Sequence, residues 1–267
     1  MYTIGFIGCG NMGSAIASAV SKVIEPSQII LANRTAAKAE ALAATLGCQT
    51  GSNTDVVKNC TYIFLGVKPQ MMADMLLSLQ PVLQARTDQF VLVTMAAGLT
   101  IADIQAMAGG AYPVIRIMPN TPVAIGQGMI QACSSPEVTE DTLAGFQSLM
   151  AECGRLDFLS ERLIDAASAL SGCGPAYAYQ FIEALADGAV ECGLPRQKAY
   201  EYASQTLIGA ASMVLETGKH PGELKDAVCS PGGTTIAGVH ALERGGFRSA
   251  AMDAVKAAYD KTTALQK

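Results

Sequence analysis

The chain has 267 residues, of which 50% are hydrophobic and 15% charged, a composition that supports a packed core and excludes a disordered protein. A net charge of -5, with no run of Lys or Arg, argues against nucleic acid or an anionic membrane surface as a partner. The N-terminal residues MYTIGFIGCG lead directly into a strand-like segment, so we expect no secretory leader; no segment has the apolar length of a membrane span.

Short β-rich segments alternate with helical patterns through the first half of the chain. The strand candidates are TIGFIG, QIILAN, YIFLGV, FVLVTMA, PVIRIM, GMIQACS and a short segment near residues 155–159. The helical patterns are NMGSAIASAVSKV, TAAKAEALAATL, residues 71–83, residues 101–108 and residues 139–151. Such alternation predicts a parallel sheet wrapped by helices.

From Glu161 onward the pattern changes to long helical segments without alternating strands. They are ERLIDAASAL, PAYAYQFIEALADGAVEC, PRQKAYEYASQTLIGAASMVLETG, the threonine-led IAGVHALER and FRSAAMDAVKAAYDKTTALQ. We therefore predict an α/β fold, with a nucleotide-binding domain at residues 1–160 and an all-helical domain at residues 161–267. The helices are rich in Ala, Leu and Met, which favours an oligomer, although the same faces could form an internal core.

The eight cysteines are scattered, and no two form a C-x-x-C pair. This spacing supports neither a zinc site nor a disulfide framework, and two histidines are too few to provide a metal site. We expect a reduced, cytoplasmic protein that binds no metal.

The segment GCGNMG at Gly8–Gly13 matches the dinucleotide-binding fingerprint, and it follows a strand and opens a helix. Gly8 is expected to make the tight turn, Gly10 to let the backbone approach a pyrophosphate, and Gly13 to let the helix pack close to the strand. A fortuitous glycine-rich turn is the alternative, and the βα units that follow argue against it.

The segment LANRT lies where an NAD-preferring site places an acidic residue. A carboxylate would repel a 2′-phosphate, whereas the Arg34 guanidinium can bind it through paired, charge-assisted hydrogen bonds. We therefore predict a preference for NADPH over NADH, with Asn33 and Arg34 in the site. An ordinary solvated charge at a strand end is the alternative for Arg34.

Two further segments, GVKPQ and MAAGLT, follow predicted strands. Ligands of open α/β sheets lie beyond the carboxyl ends of the strands, so we expect the backbone of Val67, Lys68 and Ala97 beside the nicotinamide ribose. Lys68 could instead be a surface charge.

Asn120 ends the PVIRIM strand in the stretch IMPNTPVAIG. At that position its side chain is expected either to contact the cofactor or to brace a turn.

The segment CSPGGTTIAG combines a Pro-Gly-Gly turn with two threonines. Gly232 and Gly233 permit close approaches that a side chain would forbid, and Thr234 or Thr235 is expected to cap the helix that follows. Unpaired N–H groups, hydroxyls and the positive end of the helix dipole would together suit a small anion. A tight connection between two helices is the alternative.

The chain offers few groups that could donate a proton at neutral pH. His220 lies in a KHPG turn and His240 in a predicted helix, and we expect both to be structural or solvated. Dehydrogenases of carbonyls and alcohols generally need a positioned acid or base. An iminium substrate, which arrives protonated, needs only hydride and an anchor, and a site of hydroxyls and glycines suits it.

Several segments together resemble the pyrroline-5-carboxylate reductases over nearly the whole chain. They are GFIGCGNMG, GVKP, MAAGLTI, IMPNTP, LSGCGPAYAYQFIEALADG, GLPRQKA, HPGELKDAVCSPGGTTIAG and GGFRSA. The resemblance implies an N-terminal Rossmann domain with a doubly wound sheet, and a helical domain that dimerises and shares the active site between subunits. It also implies reduction of 1-pyrroline-5-carboxylate to L-proline by NADPH, with NADH as a second coenzyme, in the final step of proline biosynthesis.

The resemblance assigns roles to individual residues. Ser230 and Thr235 are expected to act in catalysis by meeting the substrate carboxylate and ring nitrogen, with Gly232, Gly233 and Thr234 beside them and Glu161 on the substrate side. The cofactor residues carried over are Cys9, Asn11, Met12, Asn33, Arg34, Asn53, Val67, Lys68 and Ala97.

The chain departs from the family pattern at two places. Cys173 replaces the second serine of S-G-S-G-P-A-Y, which removes a hydroxyl. Ala227 stands where some members have an Asn that contacts the cofactor.

Three alternative functions are open at this point. A β-hydroxyacid dehydrogenase would need a lysine in the helix after the glycine turn, and residues 175–191 contain none. An imine reductase acting on a larger ring, or a protein that binds NADP without turnover, would share the coenzyme motifs.

Overall fold

The computed structural model describes residues 2–264 and divides the chain into two compact units by its contacts. One unit runs up to Cys173 and includes the chain from Ala258 onward, and the other is Gly174–Ala257. The domain limits 1–160 and 161–267 stay a prediction; by contacts, the helix that follows residue 160 belongs with the sheet. The expected end of the last helix, residues 265 and 266, lies outside the described residues.

The first unit is built on one eight-stranded sheet with the strand order β3-β2-β1-β4-β5-β6-β7-β8. The strands are β1 Tyr2–Ile7, β2 Ile29–Ala32, β3 Gln49–Thr50, β4 Cys60–Leu65, β5 Val91–Thr94, β6 Val114–Met118, β7 Gly128–Ser134 and β8 Gly154–Phe158. Neighbours from β3 to β6 pair in parallel, as does β7 with β8, whereas β7 is antiparallel to β6. Residues 119–127 are too few for the crossover that a parallel pairing of β6 with β7 would need.

Twelve α-helices occur among the described residues. They are α1 Asn11–Val20, α2 Ala36–Leu46, α3 Asn53–Asn59, α4 Pro69–Gln84, α5 Ile101–Ala108, α6 Glu140–Leu149, α7 Glu161–Ser171, α8 Gly174–Glu191, α9 Arg196–Thr217, α10 Pro221–Ala227, α11 Thr234–Arg244 and α12 Phe247–Ala264. The short elements β3, α3 and α10 were missing from the prediction. For α3 a signal was present, because Ser52 and Asp55 form a reciprocal capping box at its start.

Alternate residues of the strands face two separate hydrophobic layers. On one face, Phe6 and Phe64 belong to a core that includes residues of α1, α2 and α6. On the other face, Ile63 and Leu92 belong to a core that includes residues of α3, α4, α5 and α7. Helices therefore cover both faces of the sheet, which confirms the predicted doubly wound α/β fold.

The second unit is entirely helical and buries little of its apolar surface within one chain. Its buried apolar side chains are those of Ala186, Ala199 and Ala203. Large apolar side chains such as Ile208 and Leu215 are 59% and 69% exposed. No helix among residues 2–264 is both long enough and apolar enough to cross a membrane.

Candidate active site

The glycine turn between β1 and α1 contains two close backbone approaches. Gly8 has a positive φ of 105°, and a Cβ there would lie 2.6 Å from the carbonyl oxygen of Gly66 at the end of β4. A Cβ on Gly13 would collide with the carbonyl oxygen of Gly8. Both positions therefore require glycine so that α1 can start directly above the sheet.

Gly10 is different, because no described residue occupies the space beside it. A Cβ at this position would have no atom of residues 2–264 within 4 Å, and the Gly10 φ of -76° and ψ of -174° are open to any residue. The absence of a side chain therefore leaves an empty cradle at the N-terminus of α1, which is the place where a helix dipole favours a phosphate group.

This cradle belongs to a cleft of about 650 Å³ at the carboxyl ends of β1, β2 and β4. Eight of the expected cofactor residues line the cleft: Gly8, Cys9, Gly10, Asn33, Arg34, Asn53, Val67 and Lys68. Further lining residues were missed from the sequence, namely Ile7, Thr35, Lys38, Gly66, Gln70, Met71, Asp74, Met75 and Ser78. Most of these lie on α4, whose position against the turn depends on tertiary packing.

The other expected cofactor residues lie around the cleft rather than on its described lining. Asn11 and Met12 start α1, where Met12 packs against the core. Ala97 follows β5 and packs against the second hydrophobic layer. Because β5 pairs with β4 through Thr94 and Leu65, the loop that carries Ala97 begins beside the strand end that lines the cleft.

Asn33 ties the glycine turn to the end of β2. Its Oδ1 accepts a hydrogen bond from the backbone N–H of Cys9 at 3.0 Å, and its Nδ2 donates to the carbonyl oxygen of Thr35 at 3.0 Å. Burial raises the pKa of the Cys9 thiol to about 11, and the neighbouring Cys48 adds to this rise. The thiol is therefore neutral at pH 7 and does not repel a phosphate in the cradle.

Arg34 and Lys38 place two exposed cations on the lining of this cleft, beyond β2. Nη1 of Arg34 lies 3.9 Å from the sulfur of Met71, and within the described part of the chain Arg34 forms no ion pair. Its charge is thus available to an anionic ligand.

Asn120 uses its side-chain amide within the protein. Nδ2 donates to the carbonyl oxygen of Ser171 at 3.0 Å, and Oδ1 accepts from the N–H of Met129 at 2.9 Å. The side chain is buried, with 8% of the residue exposed. These contacts favour the bracing alternative over a cofactor contact.

Glu161 begins α7 and is bound to two other elements of the first unit. Its Oε1 accepts from the N–H of Ile101, the first residue of α5, at 2.8 Å and from Nη1 of Arg116 at 3.3 Å. Arg116 was missed in the sequence, although a charge within the apolar strand VIRIM is itself a signal that a buried partner exists. The expected contact of Glu161 with substrate stays a prediction.

The Pro-Gly-Gly turn lies in the second unit and leads directly into α11. Gly233 occupies the N-cap position without a side-chain cap, so the expectation that Thr234 or Thr235 caps the helix is wrong. The turn places both threonines inside the first helical turn instead. Gly232 has a φ of 70°, and the N–H of Gly233 donates to the carbonyl oxygen of Ser230 at 3.0 Å.

This uncapped helix start leaves polar groups open to solvent. Ser230, Thr234 and Thr235 are all exposed. A glycine N-cap supplies no side-chain acceptor for the first N–H groups of α11, and these groups point along the positive end of the helix dipole. The turn can therefore receive a carboxylate.

Neither histidine stands out as an acid. Nδ1 of His220 accepts a hydrogen bond from the N–H of Gly222 at 3.0 Å and so caps α10, and His240 is exposed on α11. Among the described residues, no group of three or more His, Cys, Asp or Glu is arranged to hold a metal ion.

Comparison with known proteins finds two family models in this chain. Residues 161–265 match the model described as pyrroline-5-carboxylate reductase dimerisation, and residues 3–98 match the model described as NADP oxidoreductase, coenzyme F420-dependent. The chain is 44% identical to a pyrroline-5-carboxylate reductase of Pisum sativum, over 99% of this chain and 96% of the relative. It is 39% identical to that of Escherichia coli K12, over 99% of this chain and 98% of the relative.

A solved structure is similar over the same length. The crystal structure of Plasmodium falciparum pyrroline carboxylate reductase with NADP bound has a TM-score of 0.89 and 31% identity, and the match covers 100% of this chain and 98% of that one. Prephenate dehydrogenase from Aquifex aeolicus, at 12% identity and a TM-score of 0.52, shares the fold alone.

Proposed function

The chain belongs to the pyrroline-5-carboxylate reductase family, and we propose that it reduces 1-pyrroline-5-carboxylate to L-proline with hydride from NADPH, the final step of proline biosynthesis. NADH serves as the weaker coenzyme. The observation that carries the proposal is that this one chain contains both a glycine cradle at α1 and an uncapped, hydroxyl-rich helix start at α11. The first suits a dinucleotide, and the second suits a small anionic substrate that needs no strong acid.

The cleft fits the coenzyme through features of this chain. Gly10 leaves room for a pyrophosphate at the N-terminus of α1, and Asn33 holds the turn open by its bond to the N–H of Cys9. Arg34 and Lys38 supply positive charge at the end of β2, where a 2′-phosphate is expected. When bound, NADPH supplies the hydride.

The turn Ser230–Thr235 is assigned to the substrate. The Ser230 hydroxyl and the N–H groups of the first turn of α11 would hold the carboxylate, with Gly232, Gly233 and Thr234 shaping the approach. The Thr235 hydroxyl would orient the ring nitrogen. Hydride addition at the imine carbon of the ring forms a C–H bond while the π electrons of the protonated C=N bond move to nitrogen, so the amine forms without a further acid.

The proposal includes a homodimer or higher homo-oligomer in which subunits share the active site. Its support is the match of residues 161–265 to a dimerisation family and the large exposed apolar side chains of α8, α9, α11 and α12. The proposed compartment is the cytoplasm, supported by eight cysteines that are all free thiols.

A β-hydroxyacid dehydrogenase fits less well. Helix α8 contains no lysine, the residue which that class needs after the glycine turn. The composition of the turn at residues 229–235 instead favours a substrate that is already protonated.

A spectrophotometric assay tests the proposal directly. Purified protein is expected to oxidise NADPH when 1-pyrroline-5-carboxylate is added, with proline as the product. In the same assay Thr235→Ala is expected to lower kcat/KM by about tenfold or more, or about 1.4 kcal/mol, through loss of the hydroxyl. Thr235→Ser, which keeps the hydroxyl, should retain most of the activity. If the wild-type protein leaves NADPH unconsumed, the proposed function is wrong.

A further inference from the structure

Arg116 is a buried cation in the middle of a hydrophobic layer. Its exposed fraction is 1%, and it shares one face of β6 with the apolar residues Val114 and Met118, which belong to that layer. Its Nε has no hydrogen-bond partner among the described residues. Buried ion pairs can often be replaced by apolar residues without loss of stability, so stability alone does not account for a charge here.

Arg116 holds two carboxylates of one helix. Nη2 lies 2.6 Å from Oδ1 of Asp165, and Nη1 lies 3.3 Å from Oε1 of Glu161. The two acids are four residues apart on α7, so they project from the same face of the helix. The two terminal nitrogens of the planar guanidinium can each bind one of these carboxylates, whereas a lysine ammonium has only one nitrogen.

Glu161 also connects Arg116 to the start of α5. The oxygen that faces Arg116 also accepts the hydrogen bond from the N–H of Ile101, which is one of the N–H groups at the start of α5 that lack an intrahelical partner. In the same helical turn, the Asp103 carboxylate accepts a hydrogen bond from the N–H of Thr100, and the Thr100 hydroxyl accepts one from the N–H of Asp103. The negative charge of Glu161 is also favourable beside the positive end of the α5 dipole.

The loop Met95–Thr100 is therefore secured at both ends. At its start, Thr94 of β5 pairs in register with Arg116 of β6 and with Leu65 of β4. At its end, Ile101 is bound by Glu161. Gly66 and Lys68, just beyond Leu65, line the coenzyme cleft, so the loop starts beside that cleft.

We infer that Arg116 is a positioning residue, which through Glu161 fixes the start of α5 and with it the loop Met95–Thr100 at the nicotinamide end of the coenzyme site. The inference rests on the proposed function, because that function takes Ala97 in this loop to border the nicotinamide ribose. The burial of Arg116 keeps it from touching coenzyme or substrate, so its effect on either passes through Glu161.

The test is the dissociation constant of NADPH in the absence of substrate. The chain has no tryptophan, so the fluorescence of the coenzyme itself reports binding. Arg116→Lys keeps the positive charge but loses the guanidinium that binds both carboxylates. It is expected to raise the NADPH dissociation constant by about tenfold, a typical size for an indirect coupling. In turnover, KM for NADPH should rise more than KM for 1-pyrroline-5-carboxylate.

Asp165→Asn is the matched control. It weakens the ion pair between residue 165 and Arg116, one helical turn away from Glu161. The hydrogen bonds from Arg116 and Ile101 to Glu161 stay in place. The variant should lose thermal stability while its NADPH dissociation constant stays within about twofold of the wild type. If it raises that constant as much as Arg116→Lys, general destabilisation explains both variants and the inference is wrong.

Glu161→Asp decides the question if Arg116→Lys does not fold. The shorter side chain keeps a carboxylate near Arg116 but withdraws it from the N–H of Ile101. A folded Glu161→Asp protein is expected to bind NADPH about as weakly as Arg116→Lys, and unchanged binding would overturn the inference. Binding is measured without turnover, so failure of the wild-type protein to reduce the substrate would count against the proposed function and not against this link.

Discussion

We propose that Arg34 and Lys38 decide the balance between the two coenzymes in this cleft. Both are exposed cations, and Arg34 touches Met71 of α4 through Nη1. Asp74 of the same helix also lines the cleft, and its negative charge offsets part of the positive charge there. The cleft therefore needs both cations to keep a net positive charge at this end. Charge-assisted hydrogen bonds to a 2′-phosphate would make NADPH the better ligand, while NADH offers only hydroxyls there.

Arg34→Ala is expected to raise KM for NADPH by about tenfold or more, because a hydrogen bond to a charged group contributes about 1.5–3 kcal/mol. KM for NADH should change by less than about twofold, since no phosphate is lost there. Steady-state kinetics with each coenzyme measure the difference. Arg155→Ala removes an exposed arginine from β8, far along the sheet order, and serves as the control. Equal increases with both coenzymes would refute the assignment.

The start of α1 shows how one short element serves packing and binding through different glycines. Gly13 is required by the fold, since its Cβ would meet the Gly8 carbonyl oxygen. Gly10 has no such constraint, since no atom in the described part of the chain lies within 4 Å of its Cβ position. The same sequence pattern therefore contains one residue selected for contact with the sheet and another that leaves space for a ligand.

Two alanine variants separate these roles. Gly13→Ala is expected to lower the free energy of unfolding by about 1–3 kcal/mol, because the added methyl group forces α1 away from the sheet. Gly10→Ala should leave the free energy of unfolding unchanged, yet weaken NADPH binding by filling the phosphate cradle. Thermal unfolding and coenzyme fluorescence measure the two effects. A Gly10→Ala protein that binds NADPH normally would rule out the cradle.

At the scale of the whole molecule, the exposed apolar side chains of the helical unit call for a partner surface. Tyr179, Leu215 and Met252 are 60%, 69% and 67% exposed. Isolated soluble chains rarely leave so many large apolar groups in water, and the proposed second copy of this chain would cover them.

We expect the protein to sediment as a dimer or a larger assembly. Ile208→Glu, which puts a charge on an exposed apolar position of α9, should shift it towards monomer and lower its activity, because the proposed site is shared between subunits. Gln197→Glu adds the same charge at an exposed polar position of the same helix and should leave both unchanged. A stable monomer with full activity would contradict the shared site.

Features that depend on neighbouring residues could be predicted from the sequence. The glycine turn after β1 and the alternation of strands and helices are local patterns, and the family motifs run through the whole chain. These gave the doubly wound fold and eight residues of the cleft lining, because φ, helix starts and strand faces follow from short-range sterics and period.

Tertiary structure alone decided the features that depend on which distant segments meet. The α4 side of the cleft follows from the packing of α4 into the second hydrophobic layer. Asn120 was expected to contact the cofactor or brace a turn, and Glu161 to contact the substrate. Only the structure showed that their polar atoms bind Ser171, Met129, Ile101 and Arg116. A buried polar group takes whichever partner the fold brings within hydrogen-bonding distance, and that partner lies up to 60 residues away in the sequence.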